Sequence, residues 1–174
     1  MYPDYNMQNF FGFDNLNCMG DLNYQNPNMQ NTYNSEIISF NQAIDLIRQS
    51  VAGEREDELF YDILINQAPT EKEKEIITGI RNDERKHNRI LRDLYYSFTG
   101  NMLPQDFSIP QVDTNLSYKE NLEKALFGEL DAVVRYRKIL GTMPSGNSYT
   151  LLMSIMTDEL RHASKYNYLI HIAK

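Results

Sequence analysis

A chain of 174 residues suits one domain with a single hydrophobic core, and an apolar fraction of 41% with no long apolar run excludes a membrane span. The net charge of −7 argues against nucleic acid as a partner, because binding phosphates requires a cationic surface. The one cysteine, Cys18, can form neither an internal disulfide nor a Cys-x-x-Cys metal site. Any bound metal must therefore be held by oxygen and nitrogen. No secretory signal is visible, which predicts a cytoplasmic protein.

Residues 1–35 differ in composition from the rest of the chain. They contain nine Asn, four Tyr, four Met and three Phe but neither Lys nor Arg. Because this segment lacks the spacing of a helix or strand, we expect a low-complexity leader outside the folded domain. Its aromatic and Met side chains support a second interpretation, in which the leader docks on a partner surface or takes part in assembly.

Two helices are predicted in the first half of the remaining chain. From residue 36 apolar residues recur at helical spacing, which indicates a helix to about Ala68. Pro69 ends it, and Thr70 followed by Glu73 predicts a capping box for a second helix that stops near Gly100. The turn is short, so the two helices are expected to form an antiparallel hairpin.

Two further helices are predicted after a linker of residues 101–114 that contains two prolines. The third helix continues to Leu140, and a turn over residues 141–146 leads into the fourth. The linker is long enough to run the length of a helix. The sequence therefore predicts an all-α fold over residues 36–174, a four-helix bundle of two antiparallel hairpins joined by a long crossover.

The second half of the chain repeats the first at an offset of 75 residues. In each half a Gly-Glu pair is followed by a Tyr seven residues after the Glu, and by an Asp-Glu-x-x-His whose Glu lies 30 residues after the first Glu. The aligned residues are Gly53-Glu54 with Gly128-Glu129, Tyr61 with Tyr136, Asp83-Glu84 with Asp158-Glu159, and His87 with His162. Such a repeat is what a site with pseudo-twofold symmetry requires.

The glutamates of this repeat continue the apolar stripes of their helices and are predicted to point inward. Four buried carboxylates at one level would be costly without compensation, and two divalent cations would neutralise them. A Glu and a His three residues apart share one helical face and can reach the same ion. The predicted ligands are Glu54, Glu84, His87, Glu129, Glu159 and His162. Glu54 and Glu129 could each bridge or chelate, whereas His171 has no such partner set and is predicted to be an ordinary residue.

These motifs resemble those of the rubrerythrin and ferritin-like superfamily, in which two helices each supply a Glu and the other two a Glu-x-x-His. The resemblance covers about residues 36–173 and includes the Gly-Glu pair of each odd-numbered helix and the Tyr that follows it. It implies a non-haem centre of two Fe ions, with Mn or Zn as substitutes, that reacts with O₂ or H₂O₂. It also implies that Asp83 and Asp158 hold the opposite histidine by its second ring nitrogen. Tyr61 and Tyr136 would lie near the metals as hydrogen-bond donors or radical relays, with core packing as the alternative.

Two departures from this family affect the expected function. Rubrerythrins carry a rubredoxin domain with four cysteines, so this chain is expected to use an external electron donor. They also have a further carboxylate one turn after the helix-three Glu, where Ala132 stands here, while Asp57 occupies the equivalent place on helix one. Asp57 is either a mirrored ligand or one of several acids on a solvated helix start.

The predicted function is a di-iron oxidoreductase, either a peroxidase or a ferroxidase, that forms a homo-oligomer. The alternatives are iron storage or a structural role in the spore coat, because the leader resembles the low-complexity ends of coat proteins.

Overall fold

The computed structural model describes residues 38–104 and 115–173, except for the side chains of residues 53–58. These residues belong to the second of two units into which the chain divides, Glu36–Lys174. The described residues contain no strand and form four helices: α1, Phe40–Gln67; α2, Glu71–Thr99; α3, Tyr118–Leu140; and α4, Asn147–Ile172. The all-α prediction is confirmed. The predicted leader and most of the predicted linker lie outside the described residues.

The ends of the first two helices follow from their capping residues. Ser39 and Gln42 form a capping box at the start of α1. At the start of α2 the Thr70 side chain accepts from the Glu73 N–H at 3.3 Å, but its hydroxyl also donates to the Glu73 carboxylate. That contact stands in place of the expected second bond of a capping box, in which the Thr70 N–H would donate to this carboxylate. Gly100, with a φ of 70°, ends α2 in the left-handed conformation that glycine adopts most easily.

The second pair of helices begins in two different ways. Ser117 and Glu120 form a capping box at the start of α3. The helix α4 has no side-chain cap, and it follows Gly146, whose φ of 138° is strained for any residue with a Cβ. Glycine at this position lets the turn over residues 141–146 lead into α4 without that strain.

The packing of the helices creates two apolar clusters that lie at different levels. The helix α1 packs against α2 and α3, and α4 packs against α3 and α2. The first cluster joins the C-terminal parts of α1 and α4 to the N-terminal parts of α2 and α3, and includes Leu64, Ile77, Ile80, Leu122, Tyr166 and Leu169. The second cluster joins the opposite parts, and includes Ile47, Leu91, Leu94, Tyr136, Ile139, Leu152 and Ile155.

The level between the two clusters is occupied by buried polar residues instead of apolar ones. Along α2 it falls between Ile80 and Leu91, and along α4 between Ile155 and Ala163. The apolar layers on both sides keep water away from this level, which makes charges there costly unless they are paired. Within the described ranges no helix has the length and hydropathy needed to cross a membrane.

Candidate metal centre

Five of the six predicted ligands meet at the polar level. Glu84 with His87 and Glu159 with His162 stand one turn apart on α2 and α4, and Glu129 comes from α3. All five are buried, and the most exposed of them, Glu84, shows 7% of its surface. They converge because each continues the inward face of its helix. The sixth predicted ligand, Glu54, belongs to α1, and its side chain lies outside the described part of the chain.

Two of the carboxylates lie between the two imidazoles, whose ring centres are 5.9 Å apart. The oxygens of Glu84 are 3.4 Å from His87 Nδ1 and 3.0 Å from His162 Nδ1. Those of Glu159 are 3.2 Å and 3.7 Å from the same two nitrogens. Glu129 Oε2 is 3.6 Å from His162 Nδ1. Glu84 and Glu159 thus each lie within 3.7 Å of both imidazole Nδ1 atoms.

The ligand atoms fit a metal ion better than they fit one another. Nδ1 of both histidines and Oε1 of Glu84 are buried and have no hydrogen-bond partner in the described part of the structure. Their contacts at 3.0 to 3.7 Å have the length of ion pairs without the alignment of hydrogen bonds. Since buried polar atoms are nearly always hydrogen-bonded, unpartnered atoms that converge could be satisfied by a cation held between them.

The number and spacing of these atoms also suit metal binding. One ligand atom each from Glu84, Glu129, Glu159 and His162 lie within 4.8 Å of one another. Two metal–ligand bonds of about 2.1 Å span about 4.2 Å, so small side-chain rotations would close the set around an ion. This buried group could therefore hold a metal ion with oxygen and nitrogen ligands.

Each imidazole is held from behind by an aspartate of the other hairpin. His87 Nε2 lies 3.2 Å from Asp158 Oδ2, and His162 Nε2 lies 3.1 Å from Asp83 Oδ2. A neutral imidazole that donates its Nε2–H to a carboxylate keeps the Nδ1 lone pair free, and Nδ1 is the atom that faces the glutamates. The aspartates thus select the tautomer that can bind a metal.

A further residue of this centre was missed by the sequence reasoning. Arg161, on the exposed side of α4, donates from Nη2 to Asp83 Oδ2 at 2.8 Å and lies 2.9 Å from Asp158 Oδ1. The available signal was the spacing of three residues between Asp158 and Arg161, which places both on one face of the helix. A surface arginine at this spacing is otherwise an ordinary ion pair, so sequence gave no reason to connect it with the ligands.

The two repeated tyrosines stand at the edges of the polar level. The Tyr61 hydroxyl, from α1, donates to Glu129 Oε1 at 3.1 Å and so makes Tyr61 a hydrogen-bond donor to a predicted ligand. Tyr136 is buried within the second apolar cluster. Ala132 packs against that same cluster, and His171 is exposed in the last turn of α4. The side chain of Asp57 lies outside the described residues.

The carboxylates around the two imidazoles raise the pKa of both histidines. Burial alone would lower the pKa of His87, but the carboxylates of Glu159 and Glu84 outweigh it and raise the pKa to about 10. For His162 burial acts in the same direction, and the carboxylates of Glu129, Glu159 and Glu84 raise its pKa to about 12. Both shifts express the same fact, that the surrounding carboxylates favour cations at this level.

The pKa values of Glu129 and Glu159 are shifted in opposite directions. Burial and the neighbouring carboxylates of Glu159 and Glu84 raise the pKa of Glu129 to about 9, although His162 opposes this. Burial would also raise the pKa of Glu159, but Glu129, His162 and His87 together hold it far below its usual range. The three described carboxylates thus outnumber the two imidazoles. A proton on Glu129, whose pKa is raised, or another cation makes up the difference.

Comparisons with known proteins bear on the fold. No protein-family model matches the sequence, and no curated protein matches it. Among solved structures, the chain is similar to a hypothetical protein from Pyrococcus furiosus, with a TM-score of 0.63 and 20% identity. The similarity covers 75% of this chain and 89% of that one. At this identity the likeness concerns the fold alone.

Proposed function

We propose that this chain is a rubrerythrin-like di-iron carboxylate protein, an oxidoreductase that reduces H₂O₂ or O₂. The observation that carries the proposal is the pair of buried, unpartnered imidazole Nδ1 atoms of His87 and His162 with two carboxylates between them. Two imidazoles that share two carboxylates match a centre for two metal ions rather than one. Glu129 completes the half that contains His162, and Glu54 is proposed to complete the other.

A ferritin-like bundle is proposed as the fold that presents this centre. The composition of the two apolar clusters supports it, because each contains the start of α2 and α3 with the end of α1 and α4, or the reverse. That distribution supports α2 and α3 running in the same direction. A ferritin-like fold would join two such helices by a long crossover.

The proposed reaction assigns definite tasks to the residues of the chain. Two ferrous ions in the centre would supply the two electrons that, with two protons, reduce H₂O₂ to two molecules of water. Asp83 and Asp158 orient the imidazoles by accepting their Nε2–H groups. The Tyr61 hydroxyl holds a proton at Glu129 Oε1. The apolar clusters on either side exclude water, and an external donor would return the electrons.

Rapid mixing with peroxide tests this proposal. Protein loaded anaerobically with two Fe²⁺ per chain should consume one H₂O₂ for every two Fe²⁺ oxidised, and faster than Fe²⁺ in buffer. The control is the His87→Ala, His162→Ala double variant, with its helical content checked by circular dichroism. Oxidation no faster in the unmodified protein than in this control would rule out the proposed activity.

A second candidate is an assembly or spore-coat role, and the composition of residues 1–35 favours it. The segment is rich in aromatic and Met side chains, which could pack on a partner surface, and it contains no Lys or Arg. The helix α1 has its own cap at Ser39, so removal of residues 1–35 leaves the start of the helix complete. The truncated chain should keep its metals while its oligomer size by light scattering, or its location in the cell, changes. If neither changed, the assembly role would be excluded.

A further inference from the structure

We infer that Arg161 is a positioning residue that couples the two halves of the metal centre through Asp83 and Asp158. The inference deepens the proposed function and rests on it. Arg161 contacts neither a histidine nor a glutamate of the centre in the described contacts, and it acts on the ligands through the two aspartates. The coupling therefore runs outside the space in which the metal ions would lie.

The geometry of this connection is specific. One atom, Arg161 Nη2, lies 2.8 Å from Asp83 Oδ2 and 2.9 Å from Asp158 Oδ1. A guanidinium Nη carries two hydrogens, of which one donates to Asp83 Oδ2, while the contact with Asp158 Oδ1 is an ion pair. Because each aspartate also accepts from the histidine of the other hairpin, the contacts form a continuous chain that ends on both imidazoles.

The positive charge of Arg161 also favours the approach of the two aspartates to each other. Two carboxylates held by one nitrogen repel, and the guanidinium charge offsets that repulsion. The side chain of Asp158 is 16% exposed and that of Asp83 28%, whereas that of Arg161 is 53% exposed. The arginine therefore lies on the solvent side of the aspartates, where water would otherwise compete for their oxygens. Without it, each aspartate could turn outward and release its imidazole.

The repeat supplies a matched comparison on the other hairpin. At the offset of 75 residues the position of Arg161 corresponds to Lys86, an exposed residue of α2. The ligands and aspartates are duplicated, but this arginine is not. A single residue thus serves both histidines. An imidazole fixed by metal at one half holds its aspartate, and through Nη2 this restrains the aspartate of the other half, so the first ion should favour binding of the second.

Titration with Co²⁺, followed by calorimetry and visible absorption, tests the inference on the full chain. We compare the unmodified protein with Arg161→Met, Arg161→Lys and, as the control, Lys86→Met. The unmodified protein and the Lys86→Met variant should each bind two Co²⁺ with the same affinities. Arg161→Met should bind each ion about 10- to 100-fold more weakly, with altered Co²⁺ absorption, because removing groups behind a ligand has effects of this size. Arg161→Lys should recover most of the affinity, since an ammonium has three donors.

A double-mutant cycle separates coupling from a general loss of packing. In the unmodified protein the combined effect of Asp83→Asn and Asp158→Asn on Co²⁺ affinity should differ from the product of their separate effects by about three- to tenfold. In the Arg161→Met protein the two effects should be additive in free energy. Identical titrations of Arg161→Met and Lys86→Met, or additivity in both backgrounds, would overturn the inference. Fewer than two Co²⁺ bound by the unmodified chain would instead overturn the proposed function on which it rests.

Discussion

The hairpin of α1 and α2 and the hairpin of α3 and α4 carry the same motif toward the interior and different residues toward solvent. Glu84 and His87 of the first match Glu159 and His162 of the second, and all four are buried at the same level. On the solvent side the correspondence ends, because the position of Arg161 in α4 is occupied in the first half of the repeat by Lys86.

This difference shows which positions the centre constrains. An inward carboxylate must be neutralised by the same cations whichever hairpin supplies it, so both hairpins need the same residue at the same height. A residue that faces solvent needs only to tolerate water, so it can occur in one half of the repeat without a counterpart in the other. The two aspartates lie between the buried ligands and the solvent. They are repeated as the ligands are, but a single arginine contacts both of them.

The largest expected effect concerns Glu84 and Glu159, the two glutamates that lie between the imidazoles. Glu84→Ala and Glu159→Ala should each weaken binding of both metal ions by on the order of 100-fold, because each carboxylate touches both imidazoles and its loss leaves the remaining charges unpaired. Metal analysis after dialysis measures this, with Glu75→Ala on the exposed side of α2 as the control. Retention of one tightly bound ion by either variant would contradict this shared role of the two carboxylates.

The histidines should show a smaller and equal effect. His87→Ala and His162→Ala should each cost one of the two ions, since each imidazole faces one half of the centre through its Nδ1. Calorimetric Fe²⁺ or Co²⁺ titration of both variants should give affinities that agree within about tenfold, or 1.4 kcal/mol. A loss confined to one variant would show that the two hairpins are not equivalent at this level.

The pH dependence tests the same histidines without mutation. Their pKa values, raised to about 10 and about 12, keep both protonated between pH 6 and pH 8 in metal-free protein, and a metal ion must displace those protons from Nδ1. Metal affinity should therefore rise with pH, about tenfold per pH unit for each proton displaced. Titrations at pH 6, 7 and 8 measure the slope. A flat profile would mean that the imidazoles do not bind the metal.

The smallest effect is expected at the repeated tyrosines. Tyr61→Phe removes the hydroxyl that donates to Glu129, which should weaken metal binding by about fivefold, since such a bond contributes about 1 kcal/mol. The repeat predicts a similar effect for Tyr136→Phe, and side-by-side Co²⁺ titrations compare them. An effect of Tyr61→Phe no larger than that of Tyr96→Phe, at an exposed position of α2, would reduce Tyr61 to a packing residue.

Sequence was sufficient for the features that depend on helical period and on local capping. It located the helix ends at Pro69 and Gly100, because those residues act on the backbone next to them. It indicated inward carboxylates, because these interrupt apolar stripes. It did not show that Glu84 and Glu159 lie between the imidazoles, since that depends on side-chain rotamers across helices. It also gave no sign of Arg161, which resembles any solvated arginine until the two hairpins are packed together.

Anaerobic Fe²⁺ titration of the unmodified chain measures whether the duplicated motif holds two metal ions. Stoichiometry is measured by metal analysis together with calorimetry on protein first stripped of metal. The two half-sites built around His87 and His162 predict two Fe²⁺ bound per chain. A stoichiometry of zero or one would contradict a centre for two metal ions.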